Sequence, residues 1–393
     1  MTHIESLTLS NQQHIPVLEP HVALLKLDVL CFGLSSLMAQ RIPLTKRRRR
    51  DSDDAGSSPP KRDELAYKRG SPWLEDGNII LVAEGTAFRV LQSILSNSSE
   101  VFRDMFSVPQ PTDAEKLDGV PVVQMPDSKR DLSRVLNALF DGGNLYLGQQ
   151  PHFTTVCSLL RLGTKYQLAA LRKDAADRLE KCFPKRLRHF NNSLSTVSSP
   201  PNLAGWIVDF ANVPINIKFS DAIAVVHLAQ ECDLPYLLPT ALFICSQLGP
   251  EKLAHGYRDR DGTLWKLAPR DLERCLLGTE SLREIAQRQQ AFVIQTILSP
   301  VCIAPQWCTT DLLTLRTQRL KDMKCVGGKN PLLDDGWIKS PDRGLCNRCK
   351  NWYAEHYGEQ HREAWCSLAT LFKVDKLVPV WPAPYTAEDL KIL

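Results

Sequence analysis

The sequence predicts an α+β fold: a small sheet flanked by helices, followed by an all-helical extension and a small C-terminal segment. Three observations carry this reading. Short β-branched runs cluster between residues 79 and 125, helical stripes interrupt them from residue 91, and beyond residue 153 the apolar spacing is helical. At 393 residues the chain exceeds the ~250–300 residues that one hydrophobic core usually organises, so several segments are expected.

Residues 1–70 read as a disordered N-terminal extension. From Thr45 to Gly70 the chain passes from basic residues to acids, then to Ser, Pro and further charge. Such a stretch buries too little apolar surface to offset the entropy of ordering it. Its basic block, Lys46, Arg47, Arg48, Arg49 and Arg50, fits a nuclear-import signal, a phosphate-binding patch or a solvated charge run. The apolar run Val22–Met38 contains Lys26 and Asp28 and is short for a ~30 Å hydrocarbon layer. Met1–Pro20 carries Glu5 and Glu19 where a secretory leader has a basic start, so no membrane association is expected.

Order is expected from Ser71, with a first domain over 71–183. Ile79–Val82 and the run through Phe88 and Val90, joined at Glu84-Gly85-Thr86, predict a hairpin. Leu91, Ile94 and Leu95 then form one helical stripe, and Val101, Phe102, Met105 and Phe106 a second, with serines between them to cap the second helix. Val120–Met125 is a third strand, placed at an edge or a strand start by Pro121. Asp127 or Ser128 caps a helix with Leu132, Val135, Leu136 and Leu139 on its apolar face, and two more helices fill Phe153–Cys182.

Residues 184–214 contain Ser-Ser-Pro-Pro and read as a linker. Residues 215–300 form the helical extension, and its first part echoes the end of the first domain. Leu160, Leu162, Leu168, Leu171 and Ala175 are matched in kind, 66 residues on, by Val226, Leu228, Leu234, Leu237 and Ala241, with Ser220 as the expected cap. The two copies predict a repeated helical hairpin. Residues 301–393 form a C-terminal helical segment with paired cysteines.

Hairpin, two short helices, strand, helix and helical pair is an order that resembles the BTB/POZ domain. DGNIILVAEGTAFRV, SEVFRDMF and the LxxLGTKYQLxxL run are similar to that family, especially to its members in filamentous fungi. The resemblance covers 71–183, less than a third of the chain. It implies a protein-interaction module that associates as a homodimer or hetero-oligomer, with the contact expected at Leu91, Ile94, Leu95, Val101, Phe102, Met105 and Phe106. Two departures stand out. Leu91-Gln92 replaces the family's His-Lys pair after the second strand, which affects partner choice. Val108-Pro109-Gln110 lacks the Glu of the hydrophobic-x-Glu element found in cullin-ligase adaptors, which counts against a cullin ligase as partner.

The basic and acidic residues, 48 against 44, nearly balance, so composition makes no case for a nucleic-acid binder. The 12 cysteines are too dilute for a disulfide framework, which suggests a reducing compartment, nucleus or cytoplasm. One set has metal-ligand spacing. Cys346-x-x-Cys349 and Cys302-x5-Cys308 supply four thiolates for a structural zinc, with His356, His361 and Cys366 as possible substitutes. The competing reading is that these cysteines pack as small hydrophobes. No phosphate loop, nucleophile elbow or acid/base constellation occurs, so no enzyme is predicted; a thioredoxin-like use of Cys346 or Cys349 lacks its βαβ setting. Three functions therefore compete: an oligomerising adaptor, a nuclear transcription or chromatin regulator with a zinc-stabilised C-terminus, and a redox thiol enzyme, with the adaptor favoured.

Overall fold

The computed structural model describes residues 67–109, 114–140, 150–196, 207–325, 330–332 and 344–382. The basic block at 46–50 and the apolar run at 22–38 lie outside them. The described chain belongs to one compact unit, Leu65–Leu393.

The expected small sheet flanked by helices is present. Its five strands are β1 (Lys68–Trp73), β2 (Ile79–Ala83), β3 (Thr86–Val90), β4 (Lys116–Leu117) and β5 (Val120–Gln124), ordered β1-β3-β2-β5-β4. Strands β2 and β3 make the predicted hairpin, pairing Ile79 with Val90 and Ala83 with Thr86. Its turn uses left-handed Glu84 (φ 47°) and Gly85 (φ 71°), a conformation that turn residues supply at least cost when glycine is among them. Strand β5 runs parallel to β2, Ile80 opposite Val122.

One detail differs from expectation, and two alternatives left open are resolved. Order starts before Ser71, because Lys68 and Arg69 already pair in parallel with β3. Pro121 stands at the start of β5 and not at the sheet edge: β5 lies between β2 and the two-residue β4, whose Lys116 sits opposite Pro121. Ser128, rather than Asp127, caps the next helix; its Oγ accepts the Asp131 N–H at 3.1 Å and donates to the Asp131 carboxylate at 2.9 Å.

The helices of the first domain are α1 (Gln92–Ser98), α2 (Glu100–Ser107), α3 (Lys129–Phe140), α4 (Phe153–Lys165) and α5 (Ala169–Cys182). Because β-strand side chains alternate, Ile79, Leu81 and Ala83 face these helices, whereas Ile80 and Val82 join Ala87 under Tyr67, Trp73, Leu117, Val120 and Val122 on the other face.

The stretch read as a linker is not free of structure. It holds α6 (Leu187–Asn192) and a two-stranded sheet of β6 (Leu194–Thr196) and β7 (Ile207–Phe210). Phe190 is buried there, packed edge-on to Phe243. Six residues make a helix too short to read by periodicity, and tertiary packing supplies what propensity does not.

The extension holds α7 (Ala222–Glu231), α8 (Leu238–Ser246), α9 (Pro250–His255), a hairpin of β8 (Tyr257–Arg258) and β9 (Leu264–Trp265), and α10 (Pro269–Ile294). The echo extends to backbone detail. Turns α4–α5 and α7–α8 each contain one left-handed residue, Gln167 (φ 52°) and Asp233 (φ 52°). Each is closed by the same bond, Leu168 N–H to Gly163 O and Leu234 N–H to Ala229 O, both 2.8 Å. Gly163 eases a close approach, since a Cβ there would lie 3.0 Å from the Arg172 nitrogen. The expected Ser220 cap is not made: Ser220 lies in a 3-10 turn, Phe219–Asp221, and Asp221, at the N-cap of α7, makes no side-chain bond to that helix, its carboxylate instead accepting the Lys218 N–H at 2.7 Å.

The β8–β9 hairpin, absent from the sequence reading, docks on α3. Arg134 grips the Asp261 carboxylate with two nitrogens, at 2.7 and 3.0 Å, and Arg130 donates to the Asp261 carbonyl at 2.7 Å. One apolar core runs from β2 through α4, α5, α7 and α8 to α10 and on to Val374. Last come α11 (Pro305–Cys325) and α12 (Asn347–Leu371). Among the described residues no helix is long and apolar enough to cross a membrane.

Candidate metal centre and interaction surface

Helices α1 and α2 meet at Ser99, which is buried. Its Oγ accepts the Phe102 N–H at 3.0 Å as an N-cap and donates to the Tyr166 carbonyl at 2.5 Å. Phe102 lies on Tyr166, ring centroids 4.8 Å apart, and the Tyr166 hydroxyl donates to Asp127. Burial, then the Asp127 charge, pushes that phenol far above its usual range. The helix pair is thus held against the end of α4.

This bears on the expected contact surface. Leu95 and Phe102 are 0% and 1% exposed, taken up by the chain's own core, and present nothing to a partner. Helical spacing shows which side chains share a stripe, but not which neighbour buries it. Leu91, Ile94, Val101, Met105 and Phe106 remain half-buried, with exposed Val108 directly after the helix. A surface of this kind is part apolar and part open to a second chain.

The second site lies at the other end of the chain. Cys302 is in the loop after α10, Cys308 in the first turn of α11, Cys346 at the N-cap of α12 and Cys349 in its first turn. The four sulfurs all lie within 4.8 Å of one another, with Cys302 Sγ and Cys346 Sγ 3.9 Å apart. Zinc–thiolate bonds of ~2.3 Å in a tetrahedron place sulfurs ~3.8 Å apart, so a single ion fits with little adjustment. No disulfide joins the described cysteines. His356, His361 and Cys366 are not part of the cluster; His356 instead hydrogen-bonds the Trp352 carbonyl at 2.8 Å and stacks on Phe292.

The electrostatics suit a cation. Helices α11 and α12 both begin at the cluster, and the positive ends of their dipoles favour thiolates. Burial raises the Cys346 thiol, but the N–H groups of Ile303 and Cys349 and the thiols of Cys308 and Cys349 outweigh it, bringing the group down to about 6. Burial pushes Cys308 and Cys349 up. The thiolate form is thus favoured at Cys346, and a metal binding there would displace protons from neighbouring thiols. The Cys346 N–H also points at Cys308 Sγ, 3.2 Å away.

Around the cluster sits a small core separate from the main one. Cys308, Leu312, Leu315, Leu345, Cys349, Tyr353 and Tyr357 are buried in it, with Phe292 and Trp352 packed alongside. His227 bonds the Lys266 carbonyl and lies beside Trp265.

The family model of the BTB/POZ domain matches residues 75–182, spanning β2 to α5. No curated protein matches the chain.

Proposed function

Because residues 75–182 are a BTB/POZ domain, a protein-interaction module, we propose that the chain is a non-enzymatic adaptor that oligomerises through this domain and carries a partner on its extension and C-terminal segment. The observation that carries the reading is the family match on a sheet-and-helix unit whose α1–α2 face leaves five apolar side chains half-buried. A two-fold contact there would be isologous, each Met105 and Phe106 meeting the same patch of the second copy. Residues 71–183 are the associating domain in this scheme, 215–300 the extension, and 301–393 the segment held by metal.

Cys302, Cys308, Cys346 and Cys349 would hold a structural zinc. Four protein thiolates leave no open coordination position for substrate or water, so the ion's contribution is to tie the loop after α10 to the starts of α11 and α12.

Light scattering and elemental analysis of the full chain, purified under reducing conditions, test both parts. A mass of about 88 kDa, twice the 44.2 kDa chain, that falls to the monomer in Met105→Asp supports association through α1–α2. A monomer at the concentrations at which standard interfaces of roughly 800 Å² per partner normally hold refutes self-association. One zinc per chain, lost in Cys346→Ser, supports the metal; a chain without zinc refutes it.

A further inference from the structure

Helices α10 and α12 cross between the two cores, and the boundary they cross is weak. They pack antiparallel: a Cβ on Gly278 would lie 2.2 Å from the Phe372 ring at one end, and Phe292 lies against Trp352, Tyr353 and His356 at the other. On α10, Cys275 and Leu282 belong to the main core and Phe292 to the small one. On α12 the first half, Cys349, Tyr353 and Tyr357, faces the small core, and the second half, Ala364, Trp365 and Leu368, faces the main one.

At the boundary stand features that a continuous core would not keep. Gln289 Nε2 and Gln360 Oε1 are buried there without hydrogen-bond partners among the described residues, an arrangement that destabilises whatever encloses it. Directly after Tyr357 comes Gly358, inside the helix, where a methyl group would meet nothing within 4 Å. Neither close packing nor a positive φ calls for glycine at this position. It weakens the helix at the one turn where α12 leaves the small core.

The small core cannot stand alone on its apolar content. Apart from the cysteines, its buried residues are Leu312, Leu315, Leu345, Tyr353 and Tyr357, against the entropy of ordering about thirty residues. We propose that the four-cysteine core is a metal-gated folding unit: without zinc, residues 298–316 and the Asn347–Tyr357 half of α12 unfold, while the half beyond Gly358 stays docked on the main core. The proposal rests on the zinc reading above. In it the metal acts as a switch for one arm of the molecule and leaves the BTB/POZ domain unaffected, as expected where metal binding and folding are one equilibrium.

Hydrogen–deuterium exchange on the full chain, zinc-loaded and after treatment with a chelator, tests it, with zinc content measured on both samples. The expected result is a loss of protection of a hundredfold or more at 305–316 and 347–357, with 364–371 and strands 79–83 and 86–90 unchanged. In Gly358→Ala, the chelated protein should regain several-fold protection across 353–357, because the helix then propagates through the boundary. If zinc is removed and 347–357 stays protected, or all of α12 to Leu371 opens together, the gated unit is refuted while the zinc site stands. If the chain holds no zinc and takes none up on addition, the zinc reading fails and the proposal with it.

Discussion

Phe102 separates core from contact surface. Its ring is 1% exposed, stacked on Tyr166 at 4.8 Å and near Phe106 at 5.8 Å. Phe102→Ala removes a fully buried aromatic from a site whose neighbours are fixed. Ser99 is tied to the Tyr166 carbonyl, and Tyr166 itself is tied to Asp127, so the cavity has little means of collapsing. Buried Phe→Ala changes cost about 3–5 kcal/mol, and the upper half of that range applies where relaxation is small. Lost stacking lies within the same figure. The assay is equilibrium unfolding in urea, followed by fluorescence at two chain concentrations tenfold apart. A core role predicts the same loss at both concentrations, whereas a contact role predicts a loss that shrinks on dilution, because association stabilises the wild-type chain less as it is diluted. A loss under about 1 kcal/mol, or one that depends on concentration, would overturn the assignment of Phe102 to the core.

Two further outcomes follow from the same domain and its hairpin. Ser99→Ala deletes an N-cap and leaves a buried carbonyl short of a donor, so about 2–3 kcal/mol should be lost in the same unfolding assay; Ser99→Thr should recover part of it. Hydrogen bonds from Arg134, then its charge, hold the Asp261 carboxyl below the usual carboxylate range. With the folded-state value depressed, the stabilisation is fully present above about pH 4 and disappears as pH falls through the folded value. Exchange at the β8–β9 amides should therefore speed up below pH 4 beyond the normal pH trend, and Asp261→Asn should show the faster exchange already at neutral pH.

Much of the fold could be read from the residues because local pattern and tertiary need agree. Ile79, Ile80 and Val82 are β-branched and lie in a buried strand, and Leu132, Val135 and Leu136 keep helical spacing on a buried face. Where the two part, the reading fails. Lys-Arg-Gly-Ser-Pro-Trp shows no alternation and contains Pro72, yet it becomes β1 because β3 offers it an edge. The Ser-Pro-rich stretch after Cys182 hides α6, which is ordered by Phe190 inserting beside Phe243. The four cysteines are legible as one set from their paired spacing, and α11 and α12, starting side by side, bring them together. Gly358 lies within the continuous helix α12, and nothing in the local sequence distinguishes a hinge from a tolerated glycine.

The grip of Arg130 and Arg134 on the β8–β9 hairpin has a geometric consequence. A chain that reached its cargo through a slack tether would sample many angles, and two copies brought together would present their cargo in no set relation. Here the extension is bolted to α3 and shares a core with α4 and α5. Whatever binds the extension is then held at a fixed bearing from the α1–α2 face, so that pairing two chains would set the spacing and direction of two cargoes as rigidly as a bracket.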